Sequence, residues 1–184
     1  VAINADFAEN ALDYGRKLYL IENCIYGVDI QPIAIQIAKL RFFISLICDQ
    51  KTHADKSRNL GIRPLPNLET KFVAADSLLA LDPTGSNASM AESEQVKALK
   101  ATLAAVRHRY FSAQSRDEKA RLRKQDDKLR AQILDALGKL GFGGEVERRR
   151  VEWNPYDHHA VAPFFEPVTM FGPRLQQGFD VVIG

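Results

Sequence analysis

Two hydrophobic periods run through the first half of this chain. In residues 6–23, Phe7, Ala11, Tyr14 and Leu18 recur every three or four positions, with Leu20 and Ile21 near the end, which predicts an amphipathic helix. Cys24-Ile25-Tyr26-Gly27-Val28-Asp29 follows. This short run is rich in β-branched and aromatic residues and predicts a buried strand ending in an acid. Pro32 then suits a first helical position, where its missing N–H would be unpaired anyway. The helix it opens carries Ile33, Ile37, Leu40, Ile44 and Ile47 on one stripe, widened by Ile35, Phe42 and Leu46. That pattern predicts a largely buried helix. Residues 50–70 are polar and hold Gly61, Pro64 and Pro66, as a loop does, and Phe72-Val73-Ala74-Ala75-Asp76 reads as a second short strand, again ending in Asp. The order helix, strand, helix, strand predicts an α/β unit with a parallel sheet and crossover helices.

The pattern changes after residue 81. Residues 82–90, Asp-Pro-Thr-Gly-Ser-Asn-Ala-Ser-Met, read as a linker. Residues 91–111 and 116–138 carry two helical patterns, the second dense in both charge signs but with Leu122, Leu129, Ile133 and Leu137 on one face. They predict a helical hairpin placed between sheet strands, closed by Gly138, Gly141, Gly143 and Gly144. Residues 145–178 look loop-rich, anchored by Trp153, Tyr156, Phe164, Phe165 and Phe171, and Phe179-Asp180-Val181-Val182-Ile183 predicts a last core strand. The expected division is therefore a partial core over residues 1–81, a charged helical insertion over 82–144, and an aromatic-rich segment with a core strand over 145–184. The absence of an initial Met and the apolar ending suggest a piece of a longer protein.

Composition narrows the classes modestly. The chain has 184 residues, 46% hydrophobic and 26% charged, as expected for a globular domain with a real core. A formal net charge of +2 creates no global field, so any nucleic-acid contact must come from a local patch. Cys24 and Cys48 lie in apolar runs and read as small buried hydrophobes of a reducing compartment. The first residues lack a signal-peptide pattern, and the apolar stretch from Ile33 to Ile47 is short and carries Lys39 and Arg41. The expectation is a cytoplasmic protein with no membrane role.

Asp29 and Asp76 are the leading chemical candidates. In open α/β sheets, ligands bind at the carboxyl ends of the strands. Asp29 could accept hydrogen bonds from both hydroxyls of a ribose, with Ile30 against a flat adenine ring; equally, it could cap the helix that starts at Pro32. Asp76 could accept a bond from an adenine amino group while the Ser77 N–H serves a ring nitrogen; equally, it could be a turn residue. Other features carry less. Asn154-Pro155-Tyr156 lacks a preceding apolar strand and reads as a turn with Tyr156 packed. Gly141-Phe142-Gly143-Gly144 follows a helix, the wrong context for a phosphate loop. Asp157-His158-His159 lacks ligand spacing, so no metal is expected. Arg148-Arg149-Arg150 and the helical arginines could touch phosphates or form a solvated face.

Three stretches together resemble a known family. Ile25 to Ala34, running on into Ile37-Ala38-Lys39-Leu40-Arg41, is similar to the second cofactor motif of adenine-specific (amino-N6) DNA methyltransferases of the type IIG restriction–modification and BREX phage-defence groups. Phe72 to Leu78 resembles the third motif. Pro163-Phe164-Phe165-Glu166 through Met170-Phe171-Gly172, then Gly178 to Gly184, resembles the run leading into the family's catalytic Asn-Pro-Pro-Tyr loop. The resemblance implies a partial Rossmann-like class I S-adenosylmethionine-dependent methyltransferase core with an inserted helical hairpin. It implies that Asp29 holds the cofactor ribose, Ile30 its adenine ring and Asp76 the adenine amino group. It implies double-stranded DNA as partner, with the target adenine flipped out of the duplex, and methyl transfer without a metal. The catalytic loop is expected after Gly184 and the glycine-rich loop before Val1, so this chain alone is expected not to methylate DNA. Two alternatives remain open: a methyltransferase acting on RNA or protein glutamine, and a non-catalytic interaction module.

Overall fold

A computed structural model describes residues 12–52, 54–79, 93–141 and 144–184. Its elements are α1 (Leu12–Asn23), β1 (Gly27–Asp29), α2 (Pro32–Cys48), a 3-10 turn (Lys56–Gly61), β2 (Phe72–Ala74), α3 (Glu94–Ser112), α4 (Arg116–Lys139), α5 (Glu145–Glu152), α6 (Pro167–Phe171) and a 3-10 turn (Pro173–Leu175). Most of the chain is helical. Residues 6–11 of the expected first helix and the 82–90 linker lie outside the described residues.

The sheet is small and parallel, as the helix–strand alternation predicted. β1 pairs with β2 in the register Gly27–Phe72, Val28–Val73 and Asp29–Ala74. A single parallel bridge joins Ala75 to Ala162, with the Ala162 N–H donating to the Ala74 carbonyl at 2.7 Å. Successive side chains of a strand point to opposite faces, and β2 feeds two cores in this way. Phe72 and Ala74 pack with Tyr14, Ile21, Ile35, Leu46, Leu68 and Phe111. Val73 and Ala75 face Trp153, Ala162, Phe164 and Met170. Burial on both sides explains the uninterrupted apolar run of this strand. Gly27 is required by packing: a Cβ there would lie 2.3 Å from the Phe72 ring, which is itself held against Phe42.

Helix α2 is less buried than expected. Ile33, Ile37, Leu40, Ile44 and Ile47 are each more than half exposed. The buried residues are Ile35, Lys39 and Leu46, with Ala38, Phe42 and Phe43 partly buried beside them. The two stripes are offset by two residues, about 200° around a helix of 3.6 residues per turn, so they lie on nearly opposite faces. Since both are largely apolar, periodicity alone could not choose between them. The same rotation exposes Cys48, and Cys24 sits at the open end of α1; both thiols are free and exposed, not buried.

Helices α3 and α4 form the expected hairpin. Ser93 and Ser115 cap them by accepting from the Val96 and Glu118 N–H groups. The apolar face of α4 is the packed one: Leu122 and Leu129 join Val106, Tyr110 and Tyr156, while Ile133 and Leu137 join Val96. Buried Asn67 ties the hairpin to the sheet region by donating to the Tyr110 and Ala113 carbonyls, both at 2.7 Å.

The last segment departs from expectation twice. Residues 145–152 form a helix, not a loop. Residues 179–183 form no strand; Val181, Val182 and Ile183 are at least three-quarters exposed. A strand exists only through a ladder partner, and no described residue offers one to this run.

Candidate functional site

Both candidate acids stand at the same end of the sheet. β1 ends at Asp29, whose carbonyl accepts from the Ala75 N–H at 2.9 Å, and Asp76 follows Ala75, two residues beyond the end of β2. The geometry around each is alike. Asp29 Oδ1 accepts from the Gln31 N–H at 2.8 Å, and Asp76 Oδ1 accepts from the Leu78 N–H at 2.9 Å. These two-residue turns swing the chain away from the sheet and hold each carboxylate at its edge. The second oxygen of each has no partner among the described residues. Asp29 is therefore a turn-former rather than the helix cap: the cap position is Gln31, whose side chain makes no capping bond. Ile30 is 58% exposed beside Asp29, and Ser77 is exposed beside Asp76. The sheet edge thus presents two carboxylate oxygens, one apolar side chain and an open turn. That combination can accept hydrogen bonds from hydroxyls or amino groups and cover a flat apolar ring.

A cleft lined by Gln36, Lys39, Trp153, Asn154 and His158 measures about 10 Å³, room for a single water. Burial lowers the pKa of Lys39 there, opposed by Glu69.

The minor candidates resolve into local structure. Asn154 Oδ1 accepts from the Tyr156 N–H at 3.0 Å, and Tyr156 is buried edge-on to Tyr110, with ring centroids 4.8 Å apart. Asp157 Oδ1 accepts from the His159 N–H at 2.9 Å. Among the described residues, no group of three or more His, Cys, Asp or Glu side chains could hold a metal ion. Residues 142 and 143 of the glycine run lie outside the described residues. In the basic run, Arg149 pairs with Glu145 and Arg150 with Glu166.

A buried polar cluster went unseen in the sequence. Asp126 is fully buried and accepts from Arg107 Nε at 2.8 Å, Arg130 Nε at 2.8 Å and the Tyr156 hydroxyl at 3.1 Å. Arg107 Nη1 also donates to the Thr169 and Met170 carbonyls, and Arg130 Nη1 to those of Val151 and Trp153. One carboxylate thus orients two guanidinium groups that fasten the hairpin to the segment after it. Burial pushes the Asp126 carboxyl up, but the charges and hydrogen bonds of Arg107 and Arg130 bring it below its ordinary value. Burial and the Asp126 charge raise the Tyr156 phenol. Arg130 and Asp126 stand four residues apart on one helix face, the spacing that could have revealed the pair; Arg107 is 19 residues away and gave no local signal.

Among the described residues, no helix is long and apolar enough to cross a membrane. No solved structure matches this chain. A protein of Methanocaldococcus jannaschii, named as a type II restriction enzyme and methyltransferase, is 42% identical over 66 residues. That match covers 36% of this chain and 5% of the relative. The Eco57I restriction-modification methylase family matches over residues 23–184, from the end of α1 through β1, β2 and the hairpin to the last residue, and the chain belongs to that family.

Proposed function

We propose that this chain is part of an adenine-specific DNA methyltransferase of a restriction–modification or phage-defence system. The observation that carries the reading is the family match over residues 23–184, a stretch that includes both strand-end acids. In this reading the described sheet is part of a Rossmann-like methyltransferase core and the α3–α4 hairpin is an insertion in it. S-adenosylmethionine, when bound, supplies the methyl group for the exocyclic amino group of adenine in double-stranded DNA. Asp29 holds its ribose hydroxyls, Ile30 lies against its adenine ring, and Asp76 with the Ser77 N–H reads the edge of that ring. The residues fit this group: each acid spends one oxygen on its own turn and keeps the other for a ligand, and Ile30 is open to it.

The test is S-adenosylmethionine binding and methyl transfer by the full-length protein. Asp29→Ala and Asp76→Ala are each expected to weaken cofactor binding at least tenfold, because each removes a charge-assisted hydrogen bond of about 1.5–3 kcal/mol. The unaltered protein should leave its label on adenine N6 of duplex DNA. Unchanged cofactor affinity in both variants would sink the assignment of these residues. Label on RNA or on protein glutamine instead would overturn the substrate.

A further inference from the structure

We propose that the flank of α4 carrying Arg116, Lys119, Arg123 and Lys124 binds the phosphate backbone of duplex DNA. These four cations, with Gln114 from the preceding turn, line a shallow open groove of about 570 Å³. Their spacing places them along one side of the helix. Arg116 to Lys124 spans about 12 Å at 1.5 Å per residue. Along one DNA strand, with a phosphate per 3.4 Å of axis, that length meets about three or four phosphates.

Three observations separate this stripe from an ordinary solvated face. First, Arg116, Lys119 and Lys124 form no ion pair among the described residues, so their charge is available. The Arg149 and Arg150 charges in the other basic run are already matched by Glu145 and Glu166. Second, the acid in the groove, Asp127, is engaged by Arg130. Third, Arg123 is held in place. Its Nε and Nη2 donate to the Tyr110 hydroxyl at 3.0 and 2.6 Å, and its guanidinium lies 5.4 and 5.3 Å from the Tyr110 and Tyr156 ring centres. Glu69 stands 3.8 Å away, yet the Arg123 side chain remains 42% exposed. A fixed, partly open guanidinium flanked by free cations suits phosphodiester oxygens. The choice of duplex DNA as the source of those phosphates rests on the methyltransferase reading.

Fluorescence anisotropy of the full 184-residue chain with a labelled 30-base-pair duplex, from 50 to 200 mM KCl, tests the groove. The triple variant Arg116→Ala/Lys119→Ala/Lys124→Ala is expected to bind at least tenfold more weakly. It should also flatten the plot of log affinity against log salt by about 2 to 3, near 0.9 per lost phosphate contact. A charge-matched control, Arg41→Ala/Lys51→Ala/Lys56→Ala, removes three exposed cations elsewhere and should leave the slope unchanged. Equal losses in both triples would overturn the proposal. So would no measurable duplex binding by the unaltered chain at 50 mM KCl, or tighter binding of single-stranded RNA of equal length. Cofactor binding by the Asp29 and Asp76 variants is a separate readout, so a failed groove leaves the methyltransferase reading standing.

Discussion

Replacing Asp126 by Asn keeps the volume of the side chain and removes one charge from a site with no solvent exposure. The consequence can be worked from its contacts. Arg107 Nε and Arg130 Nε each donate to a carboxylate oxygen at 2.8 Å, and both arginine side chains are themselves about nine-tenths buried. An amide retains one acceptor oxygen, so one arginine loses its acceptor at residue 126; Arg107 loses its countercharge, while Arg130 keeps that of Asp127. Breaking a buried ion pair by removing one side costs about 3–5 kcal/mol, since the remaining charge stays desolvated. The Val151, Trp153, Thr169 and Met170 carbonyls still receive the arginines, which places the expected loss near the lower end, about 3 kcal/mol. For a chain of this size that lowers Tm by about 6–12 °C. Urea unfolding followed by circular dichroism measures it. The pH dependence adds a second check. The folded Asp126 carboxyl lies below its unfolded value, so its stabilisation is complete well above about pH 4 and is lost as pH falls through the folded pKa. The gap between wild type and Asp126→Asn should be constant at neutral pH and narrow in acid. A loss under about 1 kcal/mol, or a gap independent of pH, would refute the buried-clamp reasoning.

Two further predictions follow from packing and burial. Gly27→Ala must displace the Phe72 ring, so it should lose about 1–3 kcal/mol, the usual cost of overpacking, in the same urea assay; a neutral result would mean that the ring moves freely despite its contact with Phe42. Burial brings the Lys71 ammonium down to about 8, with Glu22 opposing the shift. The unfolded chain therefore binds more protons than the folded one between about pH 8 and the ordinary lysine value near 10.4. Stability should rise across that window in the wild type relative to Lys71→Met; a flat difference would contradict the shift, for which the Tyr26 ring 4.1 Å from the ammonium offers a direct competing influence.

What could be read in advance was whatever depends on neighbours in sequence. β1 and β2, their terminal acids, the Pro32 helix start and the apolar face of α4 all follow from local period and residue type. Three features did not. The inward face of α2 depends on which of two stripes meets Phe72, a contact 30 residues away from Phe42, and the stripe that does so carries Lys39. The strand expected at 179–183 depends on a neighbouring strand, which no apolar run can specify by itself. The Asp126 cluster looked like part of a solvated charge array because its acids and bases are interleaved; Arg107 and Tyr156, the residues that bury it, come from other elements. Helix α5 was hidden by its polarity, although the Glu145–Arg149 spacing of four residues is a helical signal. At the site itself, position on the sheet was legible, and so was a turn role for Asp76; the turn bond that occupies one oxygen of Asp29, read beforehand as a helix cap, was not.

The carbonyls held by Arg107 and Arg130 also bear on cooperativity. Local opening in a protein proceeds in contiguous units whose limits are set by shared interactions. A hairpin of two antiparallel helices could open as a unit of its own, but here residues 151–153 and 169–170 hang from guanidinium groups on α3 and α4. Separating α3 from α4 would strand both arginines and release the aromatic segment that covers the second face of β2. The hairpin and that segment therefore form one foldon, and the stability of the sheet's far side is set within α3 and α4, outside the sheet.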